Sequence, residues 1–146
     1  MMWGSIIQGA GVHMENVGTY MQGMAEEDAA KFEARQLKRN AKAVEARGQR
    51  QAKEIRWQGD MLKSGDVARQ AAGGGGIDTQ SLAKISNMTD YNALAALYQA
   101  GTEADYLRDA ARIREWEGKI AKREAVRKTV TNFMAYAGGQ ANQYGK

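Results

Sequence analysis

The sequence predicts an all-α fold, a long antiparallel helical hairpin of two extended helices joined by a Gly-rich turn. Three observations carry this reading. The 146-residue chain contains no proline, and proline is the residue that breaks helix interiors, at about 3 kcal/mol each. Two stripes of small and apolar residues recur at steps of three and four over many turns, the periodicity of one helix face. Four consecutive glycines, Gly73 to Gly76, stand between the two stripes, where the chain has to change direction.

The first helix is expected over residues 26–72. Its stripe runs Ala30, Ala34, Leu37, Ala41, Val44, Gly48, Ala52, Ile55, Gly59 and Leu62. Small residues dominate it, so its partner must approach closely, and that gives the otherwise costly Gly48 and Gly59 a packing reason. The second helix is expected over 79–137, with the stripe Ala93, Leu97, Ala100, Ala104, Leu107, Ala111, Arg114, Gly118, Ala121 and Ala125, interrupted only by Arg114. Each arm of about 50 residues would span roughly 75 Å at 1.5 Å per residue.

Residues 73–78 are expected to form the turn. Glycine ends a helix by adopting left-handed backbone, and Asp78 or Thr79 is a suitable N-cap for the next one. Ile77 is placed to fold back as a hydrophobic staple. With the reversal near residue 75, Leu37 should lie near Ile113 and Leu62 near the start of the second helix. A phosphate-binding loop is excluded: the Walker pattern needs a preceding strand and a terminal Gly-Lys-Ser/Thr, whereas Ile-Asp-Thr follows these glycines.

Residues 1–25 form a separate Gly/Met-rich segment with no basic residue; the first is Lys31. Gly4, Gly11, Gly18 and Ala25 repeat every seven residues, as do Gly9, Asn16, Gly23 and Ala30. On a helix each set makes a groove of small residues, with Ile6, Ile7, Val12, Met14, Val17, Tyr20 and Met21 between. Two readings stay open: a terminus without fixed structure, since glycine is costly in helices, or a helix that packs against its own copies or enters lipid. On the second reading Gly4, Ile6, Ile7, Gly11, Met14, Gly18 and Met21 are the packing residues. The last residues, 138–146, are polar and Gly-rich and are expected to fray.

Composition narrows the function classes. Cysteine is absent, which excludes disulfides and thiolate metal sites. His13 is the single histidine, so no multi-histidine metal cluster exists. No acid, base and nucleophile converge, and the carboxylates alternate with cations as local helix pairs such as Glu115 with Lys119 and Glu124 with Arg127 or Lys128. The expectation is therefore a protein that is not an enzyme and has no cofactor. No basic leader precedes the first apolar residues, so no secretory signal is expected, and no run of 18 apolar residues predicts a membrane span.

What the stripes do not use points to assembly. Trp57, Tyr106, Ile113, Trp116 and Ile120 fall off the stripes, although a lone hairpin needs only one buried face per helix. They are read as inter-subunit residues in a homo-oligomeric ring or bundle. From Lys31 to Arg69 the first helix carries 11 basic and 5 acidic residues. The usual meaning is a solvated face; the second reading is a phosphate-binding face, with Arg35, Lys38, Arg39 and Lys42 as candidate contacts.

The layout also resembles a known family. A charge-poor Gly/Met start leads into "ARQLKRNAKAVEARGQRQAKEIRWQGDMLKSG", then "GGGGIDTQSL", then "DYNALAALYQAGTEADYLRDAARI" and the Gly-rich "AYAGGQANQYGK". This is similar to the small internal virion proteins, or ejection proteins, of short-tailed bacteriophages, whose members tend to be longer with more extensive Ser/Gly tails. The resemblance implies a protein held in the virion, inside the capsid near the portal. It would be released through the tail at infection and would oligomerise into a conduit across the host outer membrane for DNA delivery. Its implied partners are copies of itself, portal and tail proteins, larger internal virion proteins, the host outer membrane, and phage DNA as a candidate contact. Its implied place after ejection is the host cell envelope. Two alternatives stand beside it: a structural virion component such as a head–tail or portal-associated adaptor, and a DNA-binding coiled-coil protein.

Overall fold

The computed structural model describes the backbone of residues 4–144 and the side chains of residues 17–135. Two helices, α1 (Gly4–Ala72) and α2 (Thr79–Tyr144), pack against each other across a short turn, and the described residues contain no strand. The sequence boundary at residue 26 is not a helix boundary, because α1 begins at Gly4. Likewise α2 runs past 137 to Tyr144. Without proline, nothing in either segment stops the hydrogen-bond ladder.

By contacts the chain divides into two compact units, Leu37–Asp109 and the combination of Met1–Gln36 with Ala110–Lys146. In the Leu37–Asp109 unit the buried side chains are Ala41, Ala52, Ala93, Ala96, Ala100 and Ala104, together with the glycines Gly48 and Gly59. Leu37, Val44, Ile55, Leu97 and Leu107 line this seam half-buried. The other unit is built the same way, with Ala34, Ala111, Ala125, Gly23 and Gly118 buried. Among the described residues no buried apolar side chain in either unit is larger than alanine. A methyl contributes only about 0.8 kcal/mol on burial, so these seams hold by repetition.

The register explains which residues meet. In the Leu37–Asp109 unit a Cβ added at Gly48 would overlap the methyl of Ala100, and one added at Gly59 would overlap Thr89. In the other unit a Cβ on Gly23 would overlap Ala125, and one on Gly118 would lie 2.7 Å from Ala30. In all four pairs the residue numbers add to 148. Antiparallel helices hold such a sum constant along a seam, whereas the expected pairing of Leu37 with Ile113 adds to 150. Ile113 is exposed, as its place off the stripe predicts, but Leu62, expected on the stripe, is exposed too. The stripe of α1 continues instead through half-buried Lys63 and Asp66, where the Lys63 ammonium donates to Ser86 Oγ at 3.1 Å. In α2 the level expected for Arg114 is taken by half-buried Glu115.

The turn is built as a C-cap followed by an N-cap. Gly74 has φ +70° and is the one residue described with left-handed backbone, which a side chain would oppose. Asp78 caps α2: its Oδ1 accepts from the Gln80 N–H at 3.0 Å, and its carbonyl accepts from the Leu82 N–H at 3.2 Å. The Asp78 N–H donates to the Gln70 side-chain oxygen, and Gln70 Nε2 donates to Asp66 Oδ2 at 2.9 Å. Ser81 donates to the same carboxylate oxygen at 3.3 Å. This polar chain fastens the turn, and Ile77 stays exposed rather than stapling back.

The glycines therefore fall into two groups with opposite expected responses. Gly48→Ala should lower unfolding stability by about 1–2 kcal/mol through overpacking, and adding Ala100→Gly should restore much of the loss. Gly65→Ala and Gly101→Ala, with open space at the added methyl, should raise it by about 0.5–1 kcal/mol. Urea unfolding of the four variants checks this; a uniform rise across the three single Gly→Ala variants would remove the close approach at Gly48.

Candidate functional site

The candidate site is a set of outward faces, since the seams leave no interior. Ion pairs decide what those faces carry. In the Leu37–Asp109 unit, Arg108 reaches across the seam to Glu45 at 2.7 Å and along its own helix to Asp105 at 2.8 Å. Glu45, then Asp105, hold its guanidinium pKa above the ordinary value. In the other unit Arg114 bridges Glu33 at 3.2 Å and Glu117 at 3.0 Å, which is why it stands beside the stripe instead of in it.

Glu27 is the buried ionisable group of that unit, 8% exposed. Lys122 and Lys31 each approach its carboxylate at 2.9 Å. Hydrogen bonds from Lys122, then from Lys31, lower its pKa from 4.5 to about 2. The same pairing raises that of Lys122. Gly118 makes the arrangement possible, since a Cβ there would come within 3.2 Å of the Glu27 Cα. A charge on a seam is tolerated because two cations and a side-chain-free neighbour surround it.

Local pairs at i, i+3 and i, i+4 form as spacing predicts, among them Glu27 with Lys31 and Asp105 with Arg108, though not at every position expected. Glu124, Lys119, Arg127 and Lys128 form no ion pair among the described residues. Instead Glu27, Glu33 and Glu45 of α1 face cations of α2. Glu54 and Asp60 of α1 stay exposed, and Lys63 reaches Ser86 across the seam. Arg35, Lys38, Arg39 and Lys42 are all exposed. Lys38 has a partner within the chain, whereas Arg35, Arg39 and Lys42 enter no ion pair among the described residues. Between Lys38 and Arg56, α1 has seven basic and two acidic residues; between Thr79 and Asp109, α2 has two basic and four acidic. The two helix segments of the Leu37–Asp109 unit therefore carry opposite net charge, +5 against −2.

The apolar residues left off the stripes are on the surface. Trp57 is exposed, as are Tyr106, Ile113 and Trp116, while Ile120 is half-buried. Sequence reasoning missed a longer set: Met88, Tyr91, Leu94 and Tyr98 are exposed on α2, Tyr98 at 79%. Their spacing at threes and fours carried the signal, as a second stripe opposite the alanines. Near the N-terminus Gly18 has open space around it and Met21 is exposed, whereas Gly23 is in the seam. The side chains of Gly4, Ile6, Ile7, Gly11 and Met14 lie outside the described residues. Of the turn residues, Gly74 and Asp78 do the conformational and capping work, and Gly73, Gly75 and Gly76 are exposed.

Among the described residues no cluster of three or more metal-ligating side chains occurs, and no helix is long and apolar enough to cross a membrane. No known protein family, curated protein or solved structure matches the chain.

The Glu27 pairing predicts a pH dependence with a definite sign. Its folded-state pKa is depressed, so its contribution is present above 4.5 and disappears as pH falls through about 2. Glu27→Gln should unfold at a lower temperature than the parent chain at pH 7, and the gap between the two should close between pH 5 and pH 2. Thermal melts across that range decide it; a gap independent of pH would separate Glu27 from the ion pair.

Proposed function

We propose that this chain is a non-catalytic, self-assembling internal virion protein of the ejection type. On this reading it leaves through the tail at infection and oligomerises into a conduit across the host outer membrane for DNA delivery. The observation that carries the reading is the inversion of side-chain size. Alanine and glycine are inside, while Trp57, Tyr91, Tyr98, Tyr106 and Trp116 are outside. An exposed aromatic set on a hairpin with so thin a core marks surfaces that other chains cover. A slender two-helix element also suits passage through a narrow tail better than a thick globule. The conduit would be formed by several copies together, with the Gly/Met-rich residues 1–25 meeting lipid. Association supplies stability that the seam alone does not.

An adaptor that stays in the virion is the second reading, and it shares every feature except lipid contact. Replacing Ile6, Ile7 and Met14 with lysine in the full chain separates the two, and leaves the seam at Gly23 untouched.

The chain should be found in purified virions and be lost from emptied ones, and it should float with liposomes in a way the triple-lysine variant does not. Absence from virions overturns the proposal. Equal flotation of both chains, or of neither, leaves the adaptor.

A further inference from the structure

Two lines of the Leu37–Asp109 unit stay outside the seam. On α1 it is Arg39, Lys42, Ala46, Arg50, Lys53 and Trp57, all exposed and separated by steps of 3, 4, 4, 3 and 4. On α2 it is Tyr91, Ala95, Tyr98, Thr102, Tyr106 and Asp109, also all exposed, with steps of 4, 3, 4, 4 and 3. The second set of steps is the first read backwards, as antiparallel helices need in order to mesh.

We infer that these two lines bind each other between copies: the cationic face of α1 docks on the aromatic and acidic face of α2 of the next chain, head to tail. The inference rests on the self-assembly proposed above and names the surfaces that perform it. The register follows from geometry. Copies related by rotation about an axis parallel to the helices have no shift along that axis, so the register sum of 148 within a chain also holds between chains. It then sets Arg39 opposite Asp109, Lys42 opposite Tyr106 and Arg50 opposite Tyr98. Ala46 meets Thr102, and Trp57 meets Tyr91. Of the four cations, Arg39 meets a carboxylate, Lys42 and Arg50 meet aromatic rings and Lys53 meets Ala95; small meets small, and ring meets ring. No like charges oppose each other. The contact uses two different faces of each chain, so it is heterologous and closes into a ring when the rotation divides a full turn.

Other occupants fit the surface less well. A bilayer surface requires bulky apolar side chains among the cations, and the α1 line has alanine alone between Arg39 and Lys53. A nucleic-acid duplex would use the cations and leave Tyr91, Tyr98 and Tyr106 unexplained.

The chain lacks cysteine, so a pair of introduced thiols reports one contact. Ala46→Cys and Thr102→Cys are prepared as separate full-length chains and oxidised alone, mixed, and combined in one chain. The expected result is no cross-link from either chain alone, a covalent dimer from the mixture, and a ladder of multimers from the doubly substituted chain. Sedimentation of the parent chain at matched concentration runs alongside. Dimers from Thr102→Cys alone, or multimers with no cross-link in the mixture, overturn the head-to-tail contact and leave self-assembly standing. A parent chain that stays monomeric at all concentrations overturns both. A monomer that shifts a 30-base-pair duplex, and loses the shift on Arg50→Glu with Lys53→Glu, assigns the cationic line to nucleic acid instead.

Discussion

Two helices lie so close that only a hydrogen or a methyl fits between them. At Gly48 there is no room for a Cβ beside Ala100, and at Gly23 none beside Ala125. A seam this narrow sets the composition of everything around it. Large apolar side chains are displaced to the edges, as with Leu37 and Val44, or to the far sides, as with Trp57 and Tyr98. It also makes the register unforgiving. Sliding one helix by a single residue would drive alanine methyls into neighbouring turns, so small residues specify alignment more sharply than bulky, adaptable ones.

Charge follows from the same narrowness. Side chains flanking a close seam reach across it easily, and Glu27, Glu33 and Glu45 find cations on α2 at 2.7 to 3.2 Å. The pairs at the exposed flanks add little individually, but they decide which charges remain for solvent. With Glu45 reaching across the seam and Glu54 exposed, α1 from Lys38 to Arg56 carries seven basic residues against two acidic. The face of α2 in the same unit keeps its aspartates and tyrosines. The Leu37–Asp109 unit thereby acquires two chemically distinct helices.

The stripes, the turn and the helical class were legible in the amino-acid order because each depends on local periodicity. Gly48, Gly59 and Gly118 were recognisable as packing residues, and Asp78 as a cap. What depends on register was not legible. The stripe put Leu62 on the inside and it is outside, whereas Ile113, placed off the stripe, is exposed as that placement predicts. Ion pairs at i, i+3 and i, i+4 form as local spacing predicts, as in Lys31 with Glu27 and Arg108 with Asp105; the cross-helix pairs of Glu45 with Arg108, Glu33 with Arg114 and Glu27 with Lys122 depend on register and were not legible. Ile77 was expected to staple the turn, but Gln70, oriented by Asp66, accepts from the Asp78 backbone N–H instead, and Ile77 stays exposed. The exposed line of Tyr91 and Tyr98 was visible as a second period on α2, and was hidden by attention to the alanines.

A seam made of methyl groups has a further consequence for how such a chain can be used. Its stabilisation is spread thinly over many equivalent steps, so no single layer holds the two helices together. Separation can begin at one end and proceed stepwise, as in repeat architectures whose neighbours share only local contacts. Cross-helix polar contacts oppose that opening at particular levels, as where Arg108 reaches Glu45 and Lys63 reaches Ser86 within the Leu37–Asp109 unit.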